Sequence, residues 1–242
     1  MKIIQLTDLH IGAADEKPHD IDVRQNFLTT LQAAVERRPD YLVVTGDLCL
    51  DVGDRAVYEW VKGELDKINI PYEVQAGNHD DVAILADVFG LNAQLNNGDL
   101  FYKKRLGEQF FYFLDTSKYT LSQSQMQWFE QELSTVVEDV YLFIHHPPIY
   151  GGVPFMDIKH PLVNRDEVAD LLLRSNRRIH VFCGHYHVDK VIQKGNLTVY
   201  ITPSLYFQIN DGYEEFQLDH RRVGFREIIL EDEMLRTAVR YV

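Results

Sequence analysis

Short apolar runs alternate with amphipathic segments along the first two thirds of the chain. Apolar runs rich in β-branched or aromatic residues are typical of buried strands, and they cover residues 2–6, 41–47, 72–75, 109–114, 141–144 and 179–183. Apolar residues at helical spacing and capping residues predict helices at residues 23–37, 54–67, 122–133 and 166–174. This alternation of strand and helix favours an α/β fold with parallel strands.

The last third of the chain has a different pattern. It is mostly strand-like, with apolar runs at residues 197–202, 224–230 and 235–241. Strands without intervening helices favour antiparallel pairing, so we expect mixed sheets. Both parts together predict an α/β four-layer sandwich, in which two mixed β-sheets are flanked by helices. No internal repeat, low-complexity segment or linker interrupts the pattern, which predicts a single domain spanning residues 1–242.

Composition narrows the classes of protein that the sequence fits. Hydrophobic residues make up 45% of the 242 residues, which is enough for a full core. Because the sequence has neither a signal-peptide pattern nor an apolar stretch of about 18 residues, we expect no membrane span. Cys49 and Cys183 form no disulfide framework and suit a reducing compartment, so a cytoplasmic location is predicted.

The formal net charge of −13 bears on the kind of partner. Proteins that bind nucleic acid usually carry a basic patch, so the charge argues against nucleic acid as a partner. A small phosphorylated substrate is compatible with the charge, because metal cations in a site would reverse the local field. The strand-like tail after Tyr206 could either form the interface of a homodimer or complete a sheet.

Polar side chains that can ligate metals follow five of the predicted strands. In α/β sheets, side chains just beyond the carboxyl ends of parallel strands converge on one crevice. Nitrogen and oxygen ligands of this kind suit zinc, iron, manganese or cobalt. In chain order, the residues are Asp8 and His10, Asp47, Asn78 and His79, His145, and His185 and His187.

The number of candidate ligands exceeds what one ion needs. A catalytic metal site usually takes three protein ligands, so these candidates are enough for two ions, and the two carboxylate oxygens of Asp47 could bridge them. Two neighbouring ions clamp the attacking and leaving oxygens of an in-line displacement at phosphorus. Each motif alone also fits a turn or a helix cap. Their order and placement together favour a metal site.

The same motifs resemble the five signature blocks of the calcineurin-like metallophosphoesterases. The resemblance implies a sandwich of two sheets flanked by helices, in agreement with the pattern of strands and helices. It also implies an enzyme, a metal-dependent phosphoric diester hydrolase. The blocks occur in the family's order over residues 8–187, as Asp8-Leu9-His10, Gly46-Asp47, Gly77-Asn78-His79-Asp80, His145 and Gly184-His185-Tyr186-His187.

The resemblance assigns the candidate ligands to two metal ions, divalent or of mixed valence, from among iron, manganese, zinc and cobalt. A water or hydroxide would join the bridging carboxylate between the ions. The hydroxide would attack phosphorus opposite the leaving alcohol, without a covalent intermediate on the protein. The ligands that the resemblance implies are Asp8, His10 and His187 for one ion, Asn78, His145 and His185 for the other, and Asp47 as the bridge.

Two residues of the Gly-Asn-His-Asp block, His79 and Asp80, are candidate catalytic residues. The resemblance implies that His79 binds no metal but faces the substrate, where it either stabilises transition-state charge or protonates the leaving oxygen. Asp80 either orients His79 through a hydrogen bond or caps the helix that follows.

Other polar residues near these motifs have less defined roles. In the pair His145-His146, the resemblance makes the first residue the ligand, so His146 is expected to support the ligands or to lie in a loop. Asp115 either supports the site or forms a turn. Surface or core positions are expected for the remaining histidines, which are His19, His160, His180 and His220.

The details of the motifs distinguish branches of the family. No tyrosine closely follows Gly46-Asp47, unlike in purple acid phosphatases, and Asp80 departs from the Gly-Asn-His-Glu block of protein Ser/Thr phosphatases. The chain looks most like the bacterial class III cyclic-nucleotide and glycerophosphodiester phosphodiesterases. Residues 154–164 and 92–104 are candidate walls of the substrate cleft.

Three functions are consistent with the sequence. The leading hypothesis is a dinuclear-metal-dependent phosphodiesterase that hydrolyses small phosphodiesters, with 3′,5′-cyclic nucleotides such as cAMP as the first candidates. The second is a phosphomonoesterase or nucleotide pyrophosphatase built on the same site. The third is a non-catalytic binding module of the same fold. It is disfavoured because such members lose ligands, whereas this chain keeps all seven.

Overall fold

The computed structural model describes residues 1–232 and 234–242. Its helices are α1 (Val23–Glu36), α2 (Arg55–Asp66), α3 (Val82–Phe89), α4 (Gln123–Thr135), α5 (Pro154–Lys159) and α6 (Arg165–Leu173). Its strands are β1 (Lys2–Leu6), β2 (Tyr41–Thr45), β3 (Tyr72–Gln75), β4 (Leu95–Asn96), β5 (Asp99–Leu100), β6 (Tyr102–Leu106), β7 (Gln109–Leu114), β8 (Val140–Ile144), β9 (Ile179–Cys183), β10 (Lys190–Lys194), β11 (Leu197–Ile201), β12 (Gly224–Glu231) and β13 (Met234–Tyr241).

The strands form two large mixed sheets. The first has the order β13-β12-β1-β2-β3, with β1, β2 and β3 parallel and the two C-terminal strands antiparallel. The second has the order β10-β11-β9-β8-β7-β6, with four parallel strands between two antiparallel edge strands. The predicted mixed sheets are therefore confirmed, and the tail after Tyr206 completes the first sheet with β12 and β13.

Side-chain caps begin four of the helices. Asp22, Asp54, Asp81 and Ser122 each accept a hydrogen bond from a backbone N–H in the first turn of the helix that follows. Such caps satisfy donors that the helix leaves unpaired. The predicted cap at Ser122 is confirmed, and so are the four helices predicted from the sequence.

Some elements differ from the sequence-based expectation for identifiable reasons. Helix α3 is apolar around most of its surface, so it has no polar face that would mark a helical period. Strand β6 carries three exposed basic residues, Lys103, Lys104 and Arg105, which break the alternation expected of a strand. Exposed lysines are a common feature of edge strands because they discourage pairing with another chain, and β6 lies at the edge of the second sheet.

Two buried glutamines connect the sheets across the core. On β1, Gln5 donates from Nε2 to the carbonyl of Cys183 on β9, at 3.3 Å. On β3, Gln75 donates to the carbonyl of Leu114 and, at 3.2 Å, to that of Phe143 in the second sheet. These bonds fix the two sheets relative to each other, next to the ends of the strands where the polar motifs lie.

Helices cover the outer side of each sheet. Helix α1 buries Phe27, Leu31 and Ala34, and Arg37 at its end bonds Glu227 of β12, with Nε 3.0 Å from Oε2. Helix α4 packs Phe129 against Tyr112 of β7, with 5.2 Å between ring centroids. The order helix, sheet, sheet, helix confirms the predicted four-layer sandwich. None of the described helices has the length and apolar character needed to cross a membrane.

Replacing Gln5 by Met is expected to lower the free energy of unfolding by about 1–3 kcal/mol. The substitution keeps most of the volume but removes the bond to Cys183 and the Oε1 acceptor of the Thr202 hydroxyl, which is buried. Urea denaturation of the metal-free protein measures the change. The matched control is Gln32→Met on the exposed face of α1, which should change it by less than about 0.5 kcal/mol; equal effects would contradict the inter-sheet role.

Candidate dinuclear metal centre

Five of the seven predicted ligands lie just beyond the ends of strands in an unusual backbone conformation. Non-glycine residues seldom adopt the left-handed region, which is somewhat more accessible to Asp, Asn and His. Such strain persists only where the surrounding structure over-determines it, and it clusters at functional sites. The φ values are 53° at Asp8, 46° at His10, 50° at Asp47, 65° at His185 and 51° at His187.

Two glycines allow the strand ends to approach each other closely. A Cβ at Gly77 would overlap the backbone nitrogen and Oδ1 of Asp47, and a Cβ at Gly184 would overlap the side chains of Thr7 and Asp8. Both glycines directly precede candidate ligands. The glycines of the motifs are therefore required by packing between separate strand ends.

Two clusters of possible ligands lie side by side at this edge. Asp8, His10 and His187 form one, and Asp47, His145 and His185 form the other, with ligand atoms within 4.8 Å of one another in each. A third group of the same kind, formed by His10, Asp47 and His79, overlaps both clusters. His10 Nε2 lies 3.7 Å from Asp47 Oδ2, and His145 Nε2 lies 3.8 Å from Asp8 Oδ1. The structure thus brings six of the seven predicted ligands together, and Asn78 lines the cleft above them.

Backbone carbonyls fix the orientation of three imidazoles. His145 donates from Nδ1 to Thr45 at 2.8 Å, His187 donates from Nδ1 to Phe207 at 3.0 Å, and His185 donates from Nε2 to His160 at 2.9 Å. Because a carbonyl oxygen only accepts, the ring nitrogen facing it carries the proton. When the ring is neutral, its other nitrogen carries the lone pair that a metal ion would bind, and metal-ligating histidines are commonly oriented by such hydrogen bonds.

The carboxylates of Asp8 and Asp47 favour positive charge in the space between the ligand clusters. Burial alone would lower the pKa of His145, but the carboxylates of Asp47 and Asp8 raise it to about 9. Burial lowers the pKa of His10 to about 4 and that of His185 to about 3. Although burial raises the pKa of Asp8, the neighbouring His187 and His145 bring it down to about 2. Asp8, His10 and His185 are thus held in the protonation states that ligate metals, whereas His145 would have to release a proton to bind an ion.

The residues present fit a pair of cations. His10 Nε2 and His187 Nε2 are only 3.1 Å apart, which is close enough for a hydrogen bond between the two rings or for both nitrogens to bind one cation. Asn78 Oδ1 is buried and has no hydrogen-bond partner among the described residues. A buried amide oxygen is costly unless it is paired. Nitrogen and oxygen donors of this kind accept several divalent metals, so the donor set leaves the choice of metal open.

The hydrogen bonds of Asp80 match neither role expected from the sequence. Its carboxylate accepts from the backbone N–H groups of Leu48, Cys49 and Gly77, and from the hydroxyl of Tyr58. Asp81, not Asp80, caps α3. Burial and the nearby Asp47 carboxylate raise the pKa of Asp80 to about 6. The side chain of Asp80 therefore joins two turns that carry candidate ligands, and none of its hydrogen bonds among the described residues goes to His79. Its catalytic role stays a prediction.

His79 lines the cleft beside the ligand clusters. Its Nδ1 faces the carbonyl of Asp51 at 3.1 Å, and its backbone N–H donates to Asp47 Oδ1 at 2.9 Å. Its Nε2 is 4.0 Å from Asp47 Oδ2, and 33% of the side chain is exposed. Asp51 therefore orients His79, through a backbone carbonyl that no sequence motif identifies.

The other histidines and Asp115 occupy varied positions. His146 is buried, pairs through Nδ1 with Thr116 Oγ1 at 2.8 Å, and lies 4.0 Å from the ring of His185, so it supports a ligand. Asp115 accepts from Leu100 and Ser117 backbone N–H groups, as a turn residue does. His19 and His160, expected at the surface or in the core, both line the cleft.

A cleft of about 630 Å³ opens over the two clusters. One predicted wall is confirmed, because Phe155 and His160 from residues 154–164 line the cleft, whereas no residue from 92–104 does. The prediction for the second segment is wrong because those residues form β4, β5 and the edge strand β6. The other wall is formed by aromatic residues from the segment before β12, which are Tyr206, Phe207 and Phe216. The high density of aromatic residues in this segment is the sequence feature that could have identified it.

Comparisons with known proteins agree with this geometry. The family model described as calcineurin-like phosphoesterase matches residues 1–189. A probable cyclic nucleotide phosphodiesterase of Fibrobacter succinogenes is 36% identical over 239 residues, covering 99% of this chain and 93% of that protein. A probable glycerophosphodiester phosphodiesterase of Arcobacter nitrofigilis is 27% identical over 197 residues, covering 77% and 72%. The crystal structure of a dimetal phosphatase from Danio rerio has a similar fold, with a TM-score of 0.74 at 12% identity, covering 100% of this chain and 95% of that one.

Replacing Gly77 by Ala is expected to reduce the number of metal ions bound per chain from two towards none. The added methyl group would displace Asp47, the carboxylate that lies between the two clusters. Elemental analysis after dialysis against manganese measures the stoichiometry. The control is Gly63→Ala in α2, where a Cβ meets nothing within 4 Å, so metal content should not change. Full metal content in the Gly77 variant would contradict the packing argument.

Proposed function

The chain belongs to the calcineurin-like phosphoesterase family, and on that premise we propose that it hydrolyses small phosphodiesters, with 3′,5′-cyclic nucleotides as the leading substrate class. The name of the Fibrobacter relative supports cyclic nucleotides, and that of the Arcobacter relative supports glycerophosphodiesters as a second class. The observation that carries the proposal is the pair of ligand clusters that meet at Asp47 and open into a cleft.

We assign the ligands to two metal positions as the geometry of the clusters suggests. Asp47 lies between the clusters, so it would contribute to both positions. Two ions bound here would supply positive charge for the phosphoryl oxygens and a water of lowered pKa. The proposed ligands are Asp8, His10 and His187 at one position, Asn78, His145 and His185 at the other, and Asp47 at both.

His79 is the proposed catalytic residue. With Nδ1 donating to the Asp51 carbonyl, Nε2 is the atom available to a substrate oxygen. From this position the imidazole would either stabilise negative charge on the phosphoryl group or give a proton to the leaving oxygen. These roles differ in their dependence on the leaving group, because p-nitrophenolate needs no proton whereas an alkoxide does.

Two features of the chain bear on its location and assembly. Cys49 and Cys183 are both buried and unpaired, which supports a reducing, cytoplasmic location. Strand β13 lies at the edge of the first sheet, so a homodimer would most simply pair along it. Sedimentation of the purified protein would measure the oligomeric state.

Removal of metal is expected to abolish hydrolysis of every phosphodiester, and manganese, iron, zinc or cobalt should restore it. The substrates are cAMP, glycerophosphoglycerol, bis(p-nitrophenyl) phosphate and, as the monoester, p-nitrophenyl phosphate. We expect kcat/KM for bis(p-nitrophenyl) phosphate to exceed that for the monoester by about tenfold or more, which is at least 1.4 kcal/mol in transition-state binding. Faster hydrolysis of the monoester would favour a phosphomonoesterase. A metal-loaded protein inert on all four would favour a binding module.

Replacing His79 by Ala is expected to leave two metal ions bound and to lower kcat by about 10²-fold, as loss of a general acid or charge stabiliser does. If His79 acts as an acid, the loss should be larger for cAMP than for bis(p-nitrophenyl) phosphate. The control is His220→Ala, at a histidine outside the cleft lining, which should keep full activity. Loss of metal from the His79 variant would show that His79 is a ligand.

A further inference from the structure

An arc of aromatic rings lines the cleft beside the ligand clusters. Neighbouring rings lie between 5.2 and 6.0 Å apart, so they form a continuous wall instead of isolated contacts. Phe216 lines the cleft and is 41% exposed although it is a large apolar residue, so part of its ring is accessible to a ligand. We call this wall the aromatic arc; its members are Tyr206, His19, Phe207, Phe216, Phe155 and His160.

The aromatic arc is joined to the ligand clusters at both ends. The Tyr206 ring lies 5.2 Å from that of His10, and the carbonyl of His160 accepts from His185. A phosphate between the clusters would therefore leave the adjoining part of a substrate against the rings. Aromatic rings stack on the faces of nucleobases without requiring a particular base.

The charges around the cleft limit what else the substrate can carry. Among the described residues that line the cleft there is no lysine or arginine, and the charged side chains beyond the proposed ligands are Glu16 and Asp51. Lys190 reaches the loops that carry the arc, but it is already bonded to the Gly152 carbonyl at 2.7 Å and to Asp211 at 2.8 Å. A second phosphate on the substrate would therefore lie near the carboxylates of Glu16 and Asp51, and no lysine or arginine in the described lining would neutralise its charge.

We propose that the aromatic arc binds the nucleobase of a substrate that carries a single phosphate, which makes cyclic mononucleotides the substrate class and excludes nucleotide pyrophosphates. This inference rests on the proposed function and specifies its substrate. A quaternary ammonium, the other group that aromatic rings bind, is best surrounded by several rings around one point. Neighbouring rings of the arc follow one another along the cleft and are tilted by 50–82° to each other, so a planar base would stack on the face of one ring and meet its neighbours at their edges.

The first test compares Phe216→Leu with a matched control. Phe110 on β7 is 46% exposed, close to the 41% of Phe216, and lies outside the cleft. For cAMP, we expect Phe216→Leu to raise KM about tenfold, the effect of one lost stacking contact, with kcat within about twofold of wild type. Phe110→Leu should leave KM unchanged. Phe155→Leu provides a second arc variant if Phe216→Leu does not fold.

Substrates that lack a base or carry two phosphates test base stacking and the single-phosphate limit separately. Glycerophosphoglycerol has no base, so Phe216→Leu should hydrolyse it at a rate within about twofold of wild type. ADP-ribose has two phosphates, so its kcat/KM with the wild-type protein should be about 10²-fold below that of cAMP. An equal loss on cAMP and glycerophosphoglycerol would overturn base stacking. A loss confined to glycerophosphocholine would identify an ammonium site instead, and efficient hydrolysis of ADP-ribose would overturn the single-phosphate limit.

A binding measurement separates this inference from the proposed function. Adenosine has the base but no phosphate, so calorimetric titration of the metal-loaded protein tests the arc without hydrolysis. We expect adenosine to bind wild type and Phe110→Leu alike, about tenfold less tightly to Phe216→Leu, and ribose not to bind. If no diester were hydrolysed but this pattern held, the proposed function would fail and the arc would stand. Equal affinities of all variants would overturn the arc.

Discussion

The structure depends on keeping two buried carboxylates and a set of imidazoles at the junction of two sheets. Asp8 and Asp47 are almost completely removed from solvent, where an uncompensated charge is very costly. The carboxylates of Asp47 and Asp8 raise the pKa of the buried His145, because they favour positive charge on the ring beside them. Cation binding would satisfy the carboxylates and the opposed ring nitrogens of His10 and His187 together, so the site and the local fold stabilise each other.

The parts of the molecule that orient the ligands also shape the cleft. The carbonyls of His160 and Phe207 accept from His185 and His187, and the side chains of the same two residues belong to the aromatic arc. The carbonyl of Asp51 does the same for His79. Changes in these loops therefore alter the metal site and substrate recognition together, because one residue serves both through its backbone and its side chain.

Strand ends and loops contribute different parts of the site. The strand ends deliver the ligands, and strained left-handed turns with close-packed glycines fix them. The loops supply the aromatic arc, and because no lysine or arginine belongs to the described lining, phosphate recognition would fall to the metal positions. A substrate is then selected by the shape and polarity of what adjoins its phosphate, as loop-borne specificity on a rigid scaffold generally works.

The sequence by itself determined the sandwich of mixed sheets and the residues of the ligand clusters, because strand periodicity and polar residues at strand ends are local patterns. It could not determine which groups orient those residues. Backbone carbonyls such as that of Asp51 carry no residue type. The hydrogen bonds of Asp80 go to distant turns, and the cap of α3 is Asp81, which no motif singled out. Only the tertiary structure decided that Phe155, His160, Tyr206 and Phe216 share one wall, since residues far apart in the chain become neighbours through loop packing.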